Sequence, residues 1–434
     1  MKRIKCLIVG SGGREASVIE KIKKECSIFA FMSHKNPGII DAVKFSSGKY
    51  IVGDILDNKS ICDFAQRNQI DIAFVSNDNV LEAGIVDSLK KVGIPTFGAT
   101  RQGAKIEWSK TYALDVLDKT APEFNIKTYK VNSDDYLKTV LSNYDNCDFV
   151  IKPEGLTSGK GVKIGNEHFH TQSEAYEYAH KCIQDSGTVL IQDIVRGEEF
   201  TLMGFTDGKE FILMPITCDY PYRFDGDKGP GTGGMGCFSY QNGKLPFLSD
   251  EDIKSCKDVM VKVLNYINKY SIEFTGVLYG GFIKCAEGIK IIEFNARFGD
   301  PECLNIMELL ESSMFNIIKA CIDGNLSKEL CKFKDNAASI VVYLVSKNYG
   351  CDKEAELLHF KLNQEYIESR GAKVIYSSCA RNSENLVSIG SSRLAAIVMS
   401  GESLSKVRKN VYQLINESVE GDVDYRRDIA KVYI

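Results

Sequence analysis

Residues 229–236 read Gly-Pro-Gly-Thr-Gly-Gly-Met-Gly, and residues 293–302 read Glu-Phe-Asn-Ala-Arg-Phe-Gly-Asp-Pro-Glu. The first stretch is a glycine-dense loop whose backbone N–H groups can approach an anion. The second predicts an extended segment in which Glu293, Asn295 and Arg297 share one face, because strand side chains alternate. Oxygen ligands beside a fixed cation suit a metal–nucleotide site next to an anionic substrate. The alternative is an ordinary sheet strand with one polar face.

The composition bounds what kind of protein this is. The 434 residues are 44% apolar, which suits two to four ordinary domains. A net charge of −4 offers no attraction to nucleic acid or an anionic membrane, and no run approaches the roughly 18 apolar residues of a membrane span. The 14 cysteines form no CxxC pair, which argues against disulfides and zinc and predicts a reducing, cytoplasmic location. We expect small-molecule ligands, no nucleic-acid or membrane partner, and a monomer or homodimer.

Residues 1–103 predict a Rossmann-like domain with a parallel sheet, because strand and helix patterns alternate. The turn Gly10-Ser11-Gly12-Gly13 lies between the first strand and the first helix, where free N–H groups and the helix dipole attract phosphate. A dinucleotide fingerprint would need glycine at position 15, where Glu15 stands. A tight turn without a ligand and a nicotinamide-dependent oxidoreductase are the alternatives. The predicted elements are strands at 4–9, 70–75 and 94–98 and helices at 15–24 and 82–91.

The rest of the chain divides into two further predicted domains. Residues 104–330 form a central domain, in which residues 123–195 predict a small α+β lid. Residues 331–434 alternate strands and helices again and predict a C-terminal α/β domain. One helix is predicted to run from about residue 104 to about residue 117. The predicted fold class is therefore α/β with an α+β lid.

Two further segments carry groups suited to a nucleotide. The predicted strand at 149–152 leads into the loop Lys152–Gly161, which is rich in glycine and serine and carries two lysines. The loop lacks the Walker A spacing and predicts a mobile lid over a triphosphate. A solvated hairpin is the alternative. After a predicted strand at 189–191, the backbone of residues 192–195 can read adenine, and the Glu198 carboxylate can hold ribose hydroxyls. Surface acids are common, so an ordinary surface strand end is equally open.

A cluster of acids precedes the glycine loop. Asp219 can hold an ammonium group, and Arg223 adds a cation beside the expected anion cradle. The alternative for the acids is turn chemistry, because Asp225-Gly226 is a turn dipeptide.

Taken in this order, the motifs resemble the phosphoribosylamine–glycine ligase family of ATP-grasp enzymes. The resemblance covers residues 1 to about 310 and is most specific at 229–236 and 296–302. Fainter likeness continues at Ser391–Leu394 and Tyr425–Ile429. The other matching segments are Val9–Glu15, Ala83–Asp87, Phe97–Gly98, Ser109–Lys110, Val150–Val162 and Gly197–Glu199.

The resemblance implies ATP-dependent ligation of glycine to 5-phosphoribosylamine in purine biosynthesis. Glycyl phosphate would form first, and the products would be glycinamide ribonucleotide, ADP and phosphate. Mg²⁺ or Mn²⁺ would be held by Glu293 and Asn295. Catalysis would be positioning and charge neutralisation rather than attack by a protein nucleophile.

The resemblance also implies roles for the other candidate residues. The catalytic group would be Arg297, which clamps the glycine carboxylate, Asp219, which holds its ammonium group, and Lys152. Nucleotide contacts would come from Lys110, Lys152, Gly155, Ser158, Gly159, Lys160, Gly161, Gln192, Asp193, Ile194, Val195 and Glu198. The amino-sugar substrate would meet Gly12, Gly13, Arg14, Glu15, Asp78, Thr232, Gly233, Gly234 and Met235.

The sequence departs from the family pattern at several positions. Asp78 stands where the family has glutamate, Pro153-Glu154 replaces Ala-Asp, and Gly231 replaces asparagine. The basic residues after Asp219 become Tyr220-Pro221-Tyr222, with Arg223 displaced. Most of these changes affect the half of the site expected to bind the acceptor. Another ATP-grasp carboxylate–amine ligase, a carboxylase and a non-catalytic nucleotide-binding regulator are therefore the alternatives.

Overall fold

A parallel five-stranded sheet forms the N-terminal part of the computed structural model, which describes residues 3–157, 161–270, 273–351, 357–383 and 385–433. The strand order β3-β2-β1-β4-β5 confirms the Rossmann-like prediction. The helix expected at 82–91 is two helices, because Gly84 adopts a left-handed φ of 79° between them. The elements are β1 Lys5–Val9, α1 Gly13–Ile22, β2 Ser27–Met32, α2 Pro37–Phe45, β3 Lys49–Val52, α3 Asn58–Asn68, β4 Ile72–Val75, α4 Asp78–Glu82, α5 Ile85–Lys91 and β5 Thr96–Phe97.

The next segment contains the helices α6 to α9 and an antiparallel sheet in the order β6-β9-β7-β8. The single helix expected over 104–117 is broken at Ser109, whose backbone is extended and whose hydroxyl accepts a hydrogen bond from the N–H of Tyr112. The break places Lys110 at the first turn of the second helix. The elements are α6 Lys105–Trp108, α7 Lys110–Thr120, β6 Thr128–Val131, α8 Asp134–Leu141, β7 Phe149–Pro153, β8 Lys163–Ile164, α9 Gln172–Ser186 and β9 Val189–Asp193.

The core of the molecule is an antiparallel sheet in the order β11-β10-β16-β17. Between β16 and β17 the register shifts, because Gly281 lies opposite Glu293 while Phe282 lies opposite Ile291. Ile292 is therefore the extra residue of a β-bulge. The elements are β10 Glu198–Thr206, β11 Phe211–Leu213, β12 Cys218–Asp219, β13 Tyr222–Phe224, β14 Lys228–Gly231, β15 Gly236–Ser239, α10 Asp250–Lys269, β16 Gly276–Cys285, β17 Gly288–Asn295, α11 Glu302–Leu309 and α12 Met314–Asp323.

The C-terminal part shares a sheet with the strands that frame the glycine loop. That sheet runs β12-β15-β18-β23-β20, so strands from both sides of the boundary predicted at residue 331 pair with one another. None of the described helices is long and apolar enough to cross a membrane. The elements are β18 Ala338–Ser346, β19 His359–Leu362, α13 Gln364–Ser369, β20 Lys373–Tyr376, β21 Cys379–Asn382, β22 Asn385–Ser388, β23 Ala395–Gly401, α14 Leu404–Ser418, β24 Val419–Gly421 and β25 Val423–Asp424.

Candidate active site

A cavity of about 660 Å³ is lined by the lid sheet, the core sheet, the start of α7 and the glycine loop. Its volume falls in the range of sites for nucleotide-sized ligands. One wall is apolar and suits an aromatic base, whereas carboxylates, amides and cations line the rest. The apolar wall includes Ile106, Leu114, Leu117, Leu190 and Ile291.

The three polar residues that the sequence placed on one face do line this cavity together. Asn295 donates a hydrogen bond from Nδ2 to Glu293 Oε1 at 3.1 Å. β17 ends at Asn295, so Arg297 lies in the bend that follows the strand. The strand carries Glu293 and Asn295, Arg297 reaches the same cavity from outside the strand, and the roles of the three side chains stay predictions.

Glu293 and Asn295 fit a divalent cation that is also held by a nucleotide. Because Asn295 donates through its nitrogen, its amide oxygen stays available beside the carboxylate. Mg²⁺ is commonly held by one or two protein oxygens together with substrate phosphates. This agrees with the described residues, among which no cluster of three or more His, Cys, Asp or Glu side chains is suited to a metal.

Two lysines line the cavity and form no salt bridge with any described carboxylate. Lys152 donates to the carbonyl of the bulged Ile292 at 3.2 Å, and Lys110 donates to the carbonyl of Gly155 at 2.5 Å. Burial lowers the pKa of Lys152 to about 8, with Glu293 opposing the shift and Lys110 adding to it. Burial also lowers the pKa of Lys110. A bound polyanion would stabilise the charged form of both lysines.

Glu154, one of the departures from the family pattern, anchors the helix that carries Lys110. Its carboxylate accepts hydrogen bonds from the Ser109 hydroxyl at 2.7 Å and the Thr111 hydroxyl at 2.9 Å. It also accepts the N–H of Thr111 at 3.1 Å. A carboxylate at a helix N-terminus is favourable, so this substitution fixes the start of α7.

The lid contributes part of the wall that the sequence predicted. Gly155, Leu156 and Thr157 line the cavity, and the wall continues at Val162–Ile164. Gly161 instead accepts a hydrogen bond from the Tyr178 hydroxyl through its carbonyl at 2.7 Å. The predicted nucleotide contacts Ser158, Gly159 and Lys160 lie outside the described residues.

The predicted adenine segment is brought to the cavity in part. Gln192 lines it, and its amide donates to the Thr128 hydroxyl at 2.8 Å. Asp193 accepts a hydrogen bond from the Tyr144 hydroxyl at 2.6 Å. Within the described residues, the cavity wall does not include Asp193, Ile194 or Val195.

Glu199, and not the predicted Glu198, faces the cavity. The Glu198 carboxylate accepts a hydrogen bond from the Tyr433 hydroxyl at 2.7 Å. Side chains alternate along β10, so neighbouring residues face opposite sides. Burial raises the pKa of Glu199, with Glu293 adding to the shift and Lys152 opposing it.

Asp219 lies close to a second buried carboxylate, Glu302, and both line the cavity. The Thr201 hydroxyl lies 3.2 Å from Glu302 Oε1 and 3.0 Å from the Tyr279 hydroxyl. Burial raises the pKa of Asp219 well above its usual value, and the neighbouring Glu302 adds to the shift. Burial likewise raises the pKa of Glu302. A small ammonium ligand would relieve the repulsion between these carboxylates.

Arg297 is already paired with two acids. Its guanidinium lies 2.9 Å from Glu107 Oε1 and 3.9 Å from Asp78 Oδ2. Glu107 also accepts the N–H of Ala296 at 2.9 Å, and burial raises its pKa to about 7 although Arg297 opposes the shift. Glu107 is a site residue that was not predicted from the sequence; the available signal was an acid between the apolar residues Ile106 and Trp108.

The Glu15 side chain occupies part of the anion cradle that was predicted at the start of α1. The N–H of Gly12 donates to Glu15 Oε2 at 2.8 Å, and Glu15 is buried. Gly13 packs so closely on Tyr343 that an added Cβ would lie 2.2 Å from the tyrosine oxygen. Among Gly12, Gly13, Arg14 and Glu15, the cavity wall includes Arg14, which also donates to the carbonyl of Phe298 at 3.0 Å. The Glu15 carboxylate therefore caps the N–H of Gly12, and the phosphate site expected at this helix start stays a prediction.

The glycine loop is also internally satisfied and does not form an open cradle of N–H groups. Its glycines serve close packing, since a Cβ on Gly234 (φ 97°) would lie 2.5 Å from Pro301. Thr232, Gly233 and Gly234 line the cavity, whereas Met235 is fully buried in the described structure. The loop N–H groups of Thr232, Gly233, Gly234 and Met235 donate, in that order, to Pro221 O (2.7 Å), the Tyr349 hydroxyl (3.1 Å), Thr232 Oγ1 (3.1 Å) and Tyr220 O (2.8 Å).

The displaced Arg223 does not supply a cation to the cavity. It is buried, donates to the carbonyl of Tyr349 at 3.0 Å and pairs with Asp424 at 2.8 Å. Nearby, the N–H of Ala430 donates to the Tyr220 hydroxyl at 2.8 Å. These contacts attach the glycine-loop region to residues 424–430. Arg393 and Asp300 are further residues at this end that the sequence analysis did not single out.

Comparisons with known proteins agree with the class that this fold and cavity define, the ATP-grasp enzymes. A solved phosphoribosylamine–glycine ligase from Thermotoga maritima shares the fold with a TM-score of 0.79 at 23% identity, covering 98% of this chain and 100% of that one. A biotin carboxylase from Campylobacter jejuni has a TM-score of 0.74 at 13% identity, covering 98% and 93%. Both likenesses concern the fold.

Sequence comparison identifies the family. Residues 4–107 match the N domain of phosphoribosylglycinamide synthetase, and residues 108–303 match its ATP-grasp (A) domain. The chain is 36% identical to the phosphoribosylamine–glycine ligase of Methanobrevibacter smithii, covering 98% of this chain and 96% of that one. It is 35% identical to the enzyme of the same name from Pyrococcus horikoshii, covering 98% and 94%. The chain belongs to the phosphoribosylglycinamide synthetase family.

Proposed function

We propose that the protein ligates glycine to 5-phosphoribosylamine with ATP, giving glycinamide ribonucleotide, ADP and phosphate. The observation that carries the proposal is the donor set of one cavity: an apolar wall, two lysines that form no ion pair with a described residue, Glu293 beside Asn295, and the Arg297 guanidinium together with the carboxylates of Asp219 and Glu302. An aromatic base, a triphosphate and an amino acid call for these groups. The family membership supports the same reaction.

In the first step, a glycine carboxylate oxygen attacks the γ-phosphorus of ATP, and ADP leaves. Lys110 and Lys152 neutralise the charge of the ATP phosphates and hold the triphosphate in line with the attacking oxygen. Arg297 orients the glycine carboxylate, and Asp219 with Glu302 holds its ammonium group. A divalent cation, Mg²⁺ or Mn²⁺, would be held by Glu293 and Asn295 and would neutralise charge on the phosphates.

In the second step, the amine of 5-phosphoribosylamine attacks the carbonyl carbon of glycyl phosphate, and phosphate leaves. The attacking nitrogen loses a proton as the amide forms, and the departing phosphate takes it up. Water must be excluded, because it would hydrolyse the acyl phosphate. The lid segment beginning at Gly155 lies where it can cover the reacting groups.

The remaining assignments are part of the same proposal. We assign residues 1–103 to an N-terminal domain, 104–330 to the ATP-grasp domain with a lid at about 123–195, and 331–434 to a C-terminal domain. The partners are the small-molecule substrates, the location is the cytoplasm, and the protein acts as a monomer or homodimer.

The test is a reconstituted reaction with ATP, Mg²⁺, glycine and freshly generated 5-phosphoribosylamine. We expect phosphate release that requires all three substrates, together with glycinamide ribonucleotide detected by mass spectrometry. Parallel reactions replace glycine by alanine or bicarbonate. ATP turnover with another carboxylate and none with glycine would refute the assignment and favour a different ATP-grasp ligase or a carboxylase.

A further inference from the structure

Arg393, which precedes β23, joins two parts of the cavity wall that are far apart in sequence. Its Nη1 donates to the carbonyls of Gly233 and Gly234, the latter at 3.2 Å. The same nitrogen donates to the carbonyl of Asp300 at 2.8 Å, and Nη2 lies 3.0 Å from the Asp300 carboxylate. The side chain is only 12% exposed and itself lines the cavity. One planar guanidinium therefore fixes the glycine loop relative to Asp300.

Asp300 is held from a second direction by Tyr343 of β18. The Tyr343 hydroxyl donates to Asp300 Oδ1 at 2.7 Å, and the guanidinium of Arg393 lies over the tyrosine ring at 4.6 Å. Asp300 is 10% exposed and lines the cavity. Its carboxylate is thus aimed by two neighbours and still reaches the ligand space.

Arg393 and the two lysines contact different parts of the cavity wall. Tyr343 packs against Gly13 of α1, and Arg14, the next residue, lines the cavity. Lys110 and Lys152 instead contact Gly155 and Ile292, in the lid base and the core sheet. A nucleotide held by those lysines leaves the Arg393 end for the other large substrate.

We propose that Arg393 is a positioning residue for the acceptor, presenting Asp300 and the glycine loop to the hydrogen-bond donors of the amino sugar. The inference rests on the proposed function and adds a residue from the C-terminal part to its acceptor site. Arg393 acts through Asp300 and the loop. Lysine cannot replace it fully, because a single ammonium group lacks the planar fork that reaches the carbonyls and the carboxylate together.

The experiment compares Arg393→Met and Arg393→Lys with Arg381→Met, a matched control whose exposed guanidinium pairs with Asp41 at 3.1 Å. Glycinamide ribonucleotide serves as a stable probe of the acceptor site in titration calorimetry, and Mg-ADP probes the nucleotide site. We expect Arg393→Met to lower the affinity for the ribonucleotide by roughly tenfold to a hundredfold, the loss typical of misplaced binding groups. Arg393→Lys should lose less, and Mg-ADP should bind within about twofold of the unaltered protein.

Steady-state kinetics give the second readout. Arg393→Met should raise KM for 5-phosphoribosylamine far more than KM for glycine or ATP, whereas Arg381→Met should change none of them. Unchanged ribonucleotide binding in Arg393→Met, or equal losses for ribonucleotide and Mg-ADP, would overturn the inference. If Arg393→Met does not fold, the same criteria apply to Arg393→Lys and to Tyr343→Phe, which removes one hydroxyl from Asp300. Failure of the unaltered protein to form glycinamide ribonucleotide would instead refute the proposed function.

Discussion

The nucleotide end and the acceptor end of the cavity carry their charges in different ways. At the nucleotide end, Lys110 and Lys152 contact backbone carbonyls, and neither forms an ion pair with a described residue. At the other end, which we propose for glycine and the acceptor and call the acceptor end, Arg297 is paired with Glu107 and Arg393 with Asp300. The lysine charges at the nucleotide end would be neutralised by a bound ligand, whereas the arginine charges at the acceptor end are already neutralised by protein carboxylates.

This difference shows how one cavity can serve two kinds of substrate. A triphosphate brings enough charge to stabilise two buried ammonium groups, so leaving them unpaired costs little once it is bound. A sugar amine and an amino acid bring less charge and depend on accurately placed groups. Changes at the nucleotide end should therefore alter binding and its pH dependence, and changes at the acceptor end should alter stability and geometry.

The largest effect is expected where the two ends meet, at Glu293. Replacing Glu293 by Ala removes the carboxylate of the proposed cation site and should lower kcat by roughly 10³-fold or more. Circular dichroism should show an unchanged fold, because the side chain projects into the cavity. Glu287→Ala, at the exposed turn before β17, is the matched control. Full activity of Glu293→Ala would remove this residue from the metal site.

The next effect breaks the pairing at the acceptor end. Glu107→Ala leaves the buried guanidinium of Arg297 with Asp78 alone, 3.9 Å away. We expect the free energy of unfolding in urea to fall by about 3 kcal/mol, the cost of leaving a buried charge without its partner. Asp63→Ala, which removes the exposed partner of Lys59, should leave the free energy of unfolding unchanged. Equal effects from the two variants would mean that the acceptor end is not held by its ion pairs.

A smaller effect tests the unpaired charge at the nucleotide end. Lys152→Met should lower the affinity for ATP by about tenfold to a hundredfold, the contribution of a charge-assisted hydrogen bond. In the unaltered protein Lys152 loses its proton as pH rises through about 8. ATP needs the charged form, so its affinity should fall above pH 8, and binding there should be accompanied by proton uptake.

Calorimetry in buffers of different ionisation enthalpy measures that uptake, and Lys152→Met should abolish it. Lys290→Met is the control, because Lys290 donates to a carbonyl of the distant Glu123. An unchanged proton uptake in Lys152→Met would assign the titration to another group.

The smallest effect decides between two adjacent acids. Glu199→Gln should lower the affinity for Mg-ADP by about fivefold, because Glu199 lines the cavity. Glu198→Gln should lower it by less than about twofold, because Glu198 accepts a hydrogen bond from Tyr433 instead. The measurement is titration of both variants side by side. The reverse order would restore Glu198 as the nucleotide contact and place the face of β10 in doubt.

What the sequence could predict depended on local geometry. The period of a strand predicted that Glu293 and Asn295 share a face, and alternating strands and helices identified the parallel N-terminal sheet. The choice between Glu198 and Glu199 could not be made, because the face of β10 that meets the cavity is set by its pairing with the distant β16. Local patterns carry no such information.

The glycine-rich segments show a second limit. Glycine permits an open cradle of N–H groups and also permits close packing, and the sequence of residues 229–236 is compatible with both. The structure uses packing against Pro301, a partner over 60 positions away. Glu107, Asp300 and Arg393 were missed for the same reason, since their partners come together only in the folded molecule.

The ion pair between Arg223 and Asp424 can form only after the ribosome has made both partners. Its partners are separated by 201 positions. At ordinary rates of translation, the strands before the glycine loop emerge roughly 10 to 40 s before the residues that hold them. During that interval the nascent chain carries a loop without its final support. The support of the glycine loop is therefore completed only after residue 424 has been made, and a chain that stalls before that residue should be inert.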